Sequence, residues 1–110
     1  MESSNVSSPS PSDLQKEYTQ LAEELQKLVT SRQQLLIQLN ENEGVRSELA
    51  LLSSSAELFR TIGPALVKTE PSDARALVDG RIDLIKKDLL KVENLVEEKV
   101  SVLLLNADHS

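Results

Sequence analysis

The sequence ELFRTIGPALVKT, residues 57–69, decides the fold of this chain. In this segment apolar and polar residues alternate with the period of a β-strand, and long segments with heptad spacing flank it on both sides. Gly63 and Pro64 stand at its centre and suit a two-residue turn of type II′, in which only the first central residue needs a positive φ. The pattern therefore predicts a β-hairpin between two helices.

The predicted hairpin is apolar on both faces. Leu58, Arg60 and Ile62 share one face of the first strand, and Phe59 lies on the other. A two-stranded ribbon is marginal in water, and the rest of the chain offers no strand pattern, so we expect strands of other chains to pair with it. The residues predicted to mediate this assembly are Leu58, Phe59, Arg60, Ile62, Gly63, Pro64, Leu66, Val67 and Lys68.

A ladder of eleven positions at alternating steps of four and three precedes the hairpin, and eight of these positions are apolar. Its positions are Leu14, Tyr18, Leu21, Leu25, Leu28, Arg32, Leu35, Leu39, Asn42, Arg46 and Leu49. A repeat of 3.5 residues is typical of a coiled-coil helix. Ser12 with Gln15 has the spacing of a capping box, so a helix is predicted over 13–53, closed by three serines at 53–55.

A second ladder follows the hairpin and predicts a helix over 72–106. Its positions are Val78, Ile82, Ile85, Leu89, Val92, Val96, Lys99 and Leu103. Pro71 suits the first turn, with Ser72 or a neighbour as the cap and Asp73 favourable at the positive end of the helix dipole. The ladders pair antiparallel if the numbers of facing residues sum to 124, and a register shifted by one heptad, which keeps most of the leucine pairs, is the alternative. The predicted fold is mostly α: a long antiparallel two-helix coiled coil with one hairpin between the helices.

Composition narrows the function classes. One Phe, one Tyr and no Trp cannot fill a globular core, and a net charge of −6 argues against a nucleic-acid surface. The only histidine, His109, stands in a polar terminus, and no phosphate loop or metal-ligand cluster is visible, so we expect neither catalysis nor a cofactor. No apolar run approaches the ~18 residues of a membrane span, so a protein of the cytoplasm is expected.

The two ends of the chain differ from the ladders. Residues 1–12 contain six Ser and two Pro, a composition that predicts a disordered tail, and residues 107–110 are expected to be a flexible C-terminus. The domain between them is predicted to span 13–106.

The segment LFRTIGPALVKTE between two antiparallel heptad arms resembles the hairpin of the β-type subunits of the prefoldin family. The resemblance extends from about Leu14 to Leu105. It implies a hetero-hexamer of α-type and β-type subunits, in which hairpins build a central β-barrel and the coiled coils hang from it. It also implies ATP-independent binding of unfolded polypeptides, actin and tubulin among them, and their delivery to the cytosolic group II chaperonin.

Apolar residues near the chain ends are predicted to form a client-binding tip. They are Leu14, Tyr18, Val102, Leu104 and Leu105. Unfolded chains expose apolar groups and bind such surfaces without directional chemistry. Packing on a neighbouring subunit, or on Tyr18 and Ala22, is the alternative. A different class of function is also open: a structural coiled-coil scaffold or dimerisation arm in which the hairpin is only the bend.

Overall fold

The computed structural model describes residues 10–53 and 56–108 as two long helices joined by a hairpin. Helix α1 spans Pro11–Ala50, strands β1 and β2 span Leu58–Ile62 and Ala65–Thr69, and helix α2 spans Pro71–Asp108. The helices pack along each other, and the molecule measures 78 × 28 × 18 Å. This architecture confirms the predicted fold class.

Helix α1 begins two residues earlier than the capping-box spacing predicts. Ser10, not Ser12, is the N-cap: its Oγ accepts a hydrogen bond from the Asp13 backbone N–H at 3.2 Å. Pro11 follows at the first helical position. The N–H at this position has no acceptor within the helix, so a proline loses no hydrogen bond there, and its fixed φ suits a helix. Residues 10–12 of the predicted tail therefore belong to the helix and its cap, and residues 1–9 lie outside the described residues.

The end of α1 also differs from the prediction. The helix ends at Ala50, and Leu51 is its C-cap. Two tighter hydrogen bonds close the last turn, from the Leu51 N–H to the Glu48 carbonyl at 3.1 Å and from the Leu52 N–H to the Leu49 carbonyl at 3.2 Å. The serines at 53–55 are therefore not needed to stop the helix, and Ser54 and Ser55 lie outside the described residues.

Helix α2 starts at the proline. The Ala74 N–H donates to the Glu70 carbonyl at 3.0 Å, so Glu70 rather than Ser72 stands at the cap position before Pro71. The helix continues to Asp108, two residues beyond the predicted end, so 107–108 are helical rather than part of a flexible terminus. His109 and residue 110 lie outside the described residues.

The two ladders face each other along the arm. Leu49 of α1 is buried, and so are Val78, Ile82, Ile85 and Leu89 of α2. Two contacts between the helices report the register: Glu24 pairs with Lys99, and Arg75 contacts the Leu49 carbonyl. The residue numbers sum to 123 in the first pair and 124 in the second, which agrees with the predicted antiparallel register.

The most buried part of the arm lies beside the hairpin. Leu49, Val78 and Ile82 form the core cluster, with relative exposures of 7%, 6% and 1%. Leu39, Leu52, Leu58 and Ala74 pack against this cluster from both helices and from β1. Among the described residues, a third element thus covers the coiled coil at this end alone, which we call the arm base.

Arg75 joins the two helices at the arm base. Its Nε and Nη2 donate to the Leu49 carbonyl at 3.2 and 3.0 Å, and Nη2 also donates to the Leu52 carbonyl at 3.1 Å. The last turn of α1 carries no basic residue of its own. Arg75 therefore supplies from α2 the cationic donor that the exposed carbonyls at a helix C-terminus attract.

Candidate functional site

The hairpin has the predicted turn and alternation. Ile62 pairs with Ala65 across the two-residue turn, and Gly63 has a φ of 59°, which is the positive value that type II′ requires at its first central position. Cross-strand pairing places side chains on two faces. The first face carries Leu58, Arg60, Ile62, Ala65, Val67 and Thr69, and the second carries Phe59, Thr61, Leu66 and Lys68.

Both faces expose apolar side chains. Phe59 and Leu66 on the second face are 58% and 71% exposed, and Ile62 on the first face is 53% exposed. Only Leu58 and Thr69, the pair nearest the arm base, are half-buried. Exposed apolar patches of this kind are typical of surfaces that contact another chain, so the exposure is consistent with the predicted assembly role, which stays a prediction.

The outer edges of the strands offer backbone groups as well. Ile62 and Ala65 flank a two-residue turn and therefore form a hydrogen-bonded pair, and such pairs alternate along an antiparallel ladder. The N–H and C=O groups of Phe59 and Thr61 on β1, and of Leu66 and Lys68 on β2, consequently point away from the partner strand. Within the part of the chain that the structure describes, no third strand pairs with them.

The predicted client-binding tip lies at the opposite end of the arm. The ion pair between the Glu24 carboxylate and the Lys99 ammonium, 2.9 Å apart, shows that the start of α1 and the end of α2 lie side by side. Leu14 and Tyr18 are 42% and 52% exposed. All residues from 11 to 20 are exposed, so no element in the described part of the chain covers this stretch of α1.

The α2 side of the tip is only partly exposed. Leu104 and Leu105 are 61% and 58% exposed, whereas Val102 is half-buried. More than half of each of these two leucine side chains is therefore accessible, so packing on described residues such as Tyr18 and Ala22 does not bury them. The structure thus brings the five predicted tip residues to one end of the arm.

Sequence reasoning missed Arg75. The signal was present: a helix of the predicted length before the hairpin carries no Lys or Arg in its last turn, so its carbonyls needed a donor from another element. The ladder position Lys99 was noted without its partner, Glu24, because Glu24 lies off the ladder of α1.

Two kinds of site are absent from the described residues. No helix within 10–53 or 56–108 is both long enough and apolar enough to cross a membrane. In the same residues, no group of three or more acidic or histidine side chains is placed to hold a metal ion.

Comparison with known proteins identifies relatives. Residues 12–103 match the family described as prefoldin subunit. Prefoldin subunit 6 of Mus musculus is 42% identical over 81 residues, which cover 74% of this chain and 64% of that protein. Prefoldin subunit 6 of Saccharomyces cerevisiae is 33% identical over 88 residues, which cover 80% of this chain and 77% of that protein.

A solved structure has the same architecture. The crystal structure of the prefoldin beta subunit from Thermococcus strain KS-1 superposes with a TM-score of 0.84, covering 89% of this chain and 86% of that chain. The sequences are 20% identical, so the likeness is one of fold.

Proposed function

The chain belongs to the prefoldin family, as its hairpin motif predicts, and from this premise we propose that it acts as a β-type subunit of a hetero-hexameric chaperone. In this proposal it assembles with α-type and other β-type prefoldin subunits in the cytoplasm. The complex binds unfolded polypeptides such as actin and tubulin without ATP and delivers them to the cytosolic group II chaperonin. The chain contributes binding surfaces rather than catalysis.

The hairpin is the observation that carries the proposal. Its apolar side chains are exposed on both faces, with Leu66 at 71%, and four residues direct backbone groups outward from the strand edges. Strands of neighbouring subunits would hydrogen-bond to the backbone groups at the strand edges and would cover the apolar side chains on the faces. Closure of several hairpins into a barrel removes the free edges altogether.

The tip supports the second half of the proposal. Leu104 and Leu105 are exposed at the end of the arm farthest from the hairpin, so a client held there does not compete with assembly. Each contact of this kind is weak because it is small and non-directional. Several tips that engage one unfolded chain raise the effective concentration for each further contact, which gives useful avidity.

Assembly is tested by a charge placed on the hairpin. Leu66→Lys puts an ammonium on an exposed face that the barrel would bury, and its matched control is Leu90→Lys, at a position 61% exposed in the middle of α2. We expect native mass spectrometry of the co-expressed subunits to show the control in the hexamer and Leu66→Lys excluded from it. Equal incorporation of both variants would contradict the assigned role of the hairpin.

Client capture is tested separately. Replacing Leu104 and Leu105 by Ser should leave the hexamer intact and weaken its suppression of client aggregation, because the apolar contact area at the tip is lost. Replacing Leu84 and Leu90, which are 60% and 61% exposed in the same helix, by Ser is the matched control. Unchanged suppression by the tip variant would remove these residues from the client site.

The scaffold alternative makes a different prediction. A dimerisation arm would form a self-sufficient homodimer, whereas the chaperone proposal requires a mixed complex. Co-purification from source cells followed by native mass spectrometry separates the two. The exposed apolar residues on both faces of the hairpin favour the mixed complex, since a simple bend between two helices does not need them.

A further inference from the structure

A cavity of about 200 Å³ lies at the arm base between the hairpin and the two helices. Its walls are largely apolar, formed by Leu49 of α1, Leu58 and Phe59 of β1, and Leu77 and Val78 of α2. The volume lies below the ~300–1,000 Å³ that small-molecule sites usually occupy. It suits a single aliphatic side chain better than a cofactor.

Two arginines line the same cavity. Arg60 comes from β1 and Arg81 from α2, and both are exposed. Neither forms an ion pair with any residue in the described part of the chain. Two unpaired guanidinium groups beside an apolar hollow favour an occupant that carries a carboxylate next to its apolar side chain.

The chain itself presents such a group on the other side of α1. Leu51 is 88% exposed, the highest value among its large apolar residues in the described ranges. It retains helical geometry, with φ −86° and ψ −10°, so it points roughly 200° around the axis from Leu49, which lines the cavity. Glu48 lies three residues earlier and places a carboxylate on the same side as Leu51.

We propose that the cavity receives an exposed leucine-like side chain, with a carboxylate beside it, from the neighbouring subunit in the chaperone complex. Leu51 and Glu48 show the chemistry that such a segment needs, an exposed leucine with a carboxylate on the same side. In this chain the cavity and the protruding leucine lie at the same height on different sides of α1, as a head-to-tail contact between subunits requires. The contact adds side-chain specificity to hairpin pairing, and it rests on the assembly proposed above.

The first test narrows the cavity. Leu77→Trp enlarges a side chain in its wall, and Leu84→Trp is the matched control, seven residues later on the same helix, exposed and outside the cavity. Wild type and variant compete for a limiting amount of the other prefoldin subunits, and native mass spectrometry reads their ratio in the hexamer. We expect Leu77→Trp to enter about tenfold less than wild type, the usual scale of losing a good interface contact, and Leu84→Trp to enter equally.

The second test reverses a charge and covers the case in which Leu77→Trp misfolds. In the same competition, Arg81→Glu should enter the hexamer less often than wild type, and the difference should shrink as salt is added. Lys87→Glu makes an equal charge change at an exposed position of α2, and it should enter as often as wild type. Equal entry of Arg81→Glu and Lys87→Glu overturns the inference, as does equal entry of folded Leu77→Trp and Leu84→Trp. If the variants and their controls enter equally while wild type assembles, only the cavity proposal is contradicted. If wild type itself fails to assemble with the other subunits, the proposed function is contradicted as well.

Discussion

Leu14 and Leu49 are the same residue type in the same ladder of the same helix, yet they lie in opposite environments. Leu14 at the tip is 42% exposed, and Leu49 at the arm base is 7% exposed. The ladder brings both onto the inner side of α1, and within residues 10–53 and 56–108 a third element, β1, packs on the pair of helices at the base and not at the tip. Periodicity thus determines which side of a helix is apolar, and the neighbouring elements determine how much of it is buried.

The largest expected effect comes from a matched pair of truncations. Leu49→Ala should lower the free energy of unfolding by about 3 kcal/mol, because it removes a side chain that is buried between the two helices and β1. Leu14→Ala should change it by less than about 0.5 kcal/mol, since the lost side chain is largely exposed. Denaturant unfolding followed by far-UV circular dichroism measures both, at one fixed chain concentration because association shifts the apparent stability. Equal losses would abolish the contrast between base and tip.

Arg75 provides the next test, at the base alone. Arg75→Gln should lower the free energy of unfolding by about 2 kcal/mol, since charged hydrogen bonds to the Leu49 and Leu52 carbonyls are lost in a partly buried setting. Arg75→Lys should restore only part of the lost stability, because a lysine ammonium lacks the planar guanidinium that donates to both carbonyls at once.

The control for Arg75 is Arg46→Gln. Arg46 is exposed and contacts Glu43 at 3.6 Å within its own helix. Arg46→Gln should therefore lower the free energy of unfolding by less than about 0.5 kcal/mol. The same denaturant experiment compares the three variants. A loss for Arg46→Gln as large as that for Arg75→Gln would show that the cap between helices has no special role.

The smallest effect is expected in the tip half of the arm. Lys99→Gln removes the ion pair with Glu24 and should lower the free energy of unfolding by about 0.5 kcal/mol at low salt, because both side chains are partly exposed. Added salt should erase the difference from wild type. Unfolding curves at two salt concentrations measure this, with the exposed Lys87→Gln as a control that should show no change at either. A salt-independent loss would mean that Lys99 acts through its packed stem rather than its charge.

The hairpin was predictable because its determinants are local. Gly63 supplies the positive φ at the first central position, and Pro64 excludes a type I′ turn, which needs a positive φ at the second as well. The turn type and the strand alternation therefore followed from a few adjacent residues. The antiparallel seam was predictable for a related reason: a heptad repeat forces its apolar positions onto one side of each helix.

The details at the helix ends and between elements were harder to predict. Ser10 and Ser12 both suit an N-cap, and the choice of Ser10 depends on Pro11 fitting the first helical position. Arg75 donates to a carbonyl 26 residues earlier, a contact that exists only once both helices have packed. The cavity beside it likewise needs three elements in place. The exposure of Leu104 and Leu105 was expected from their position, and their binding role stays a prediction.

The two outward strand edges of the hairpin limit how much of this protein a cell can tolerate. A short sheet whose edge backbone groups have no strand partner among the described residues, and which exposes Phe59, Ile62 and Leu66, is a template for edge-to-edge pairing with other strands, another copy of itself included. If the proposed complex forms, copies made in excess of the other subunits are expected to aggregate or to be degraded. In the proposed complex, the exposed hairpin would thus require that the subunits be synthesised in balanced amounts.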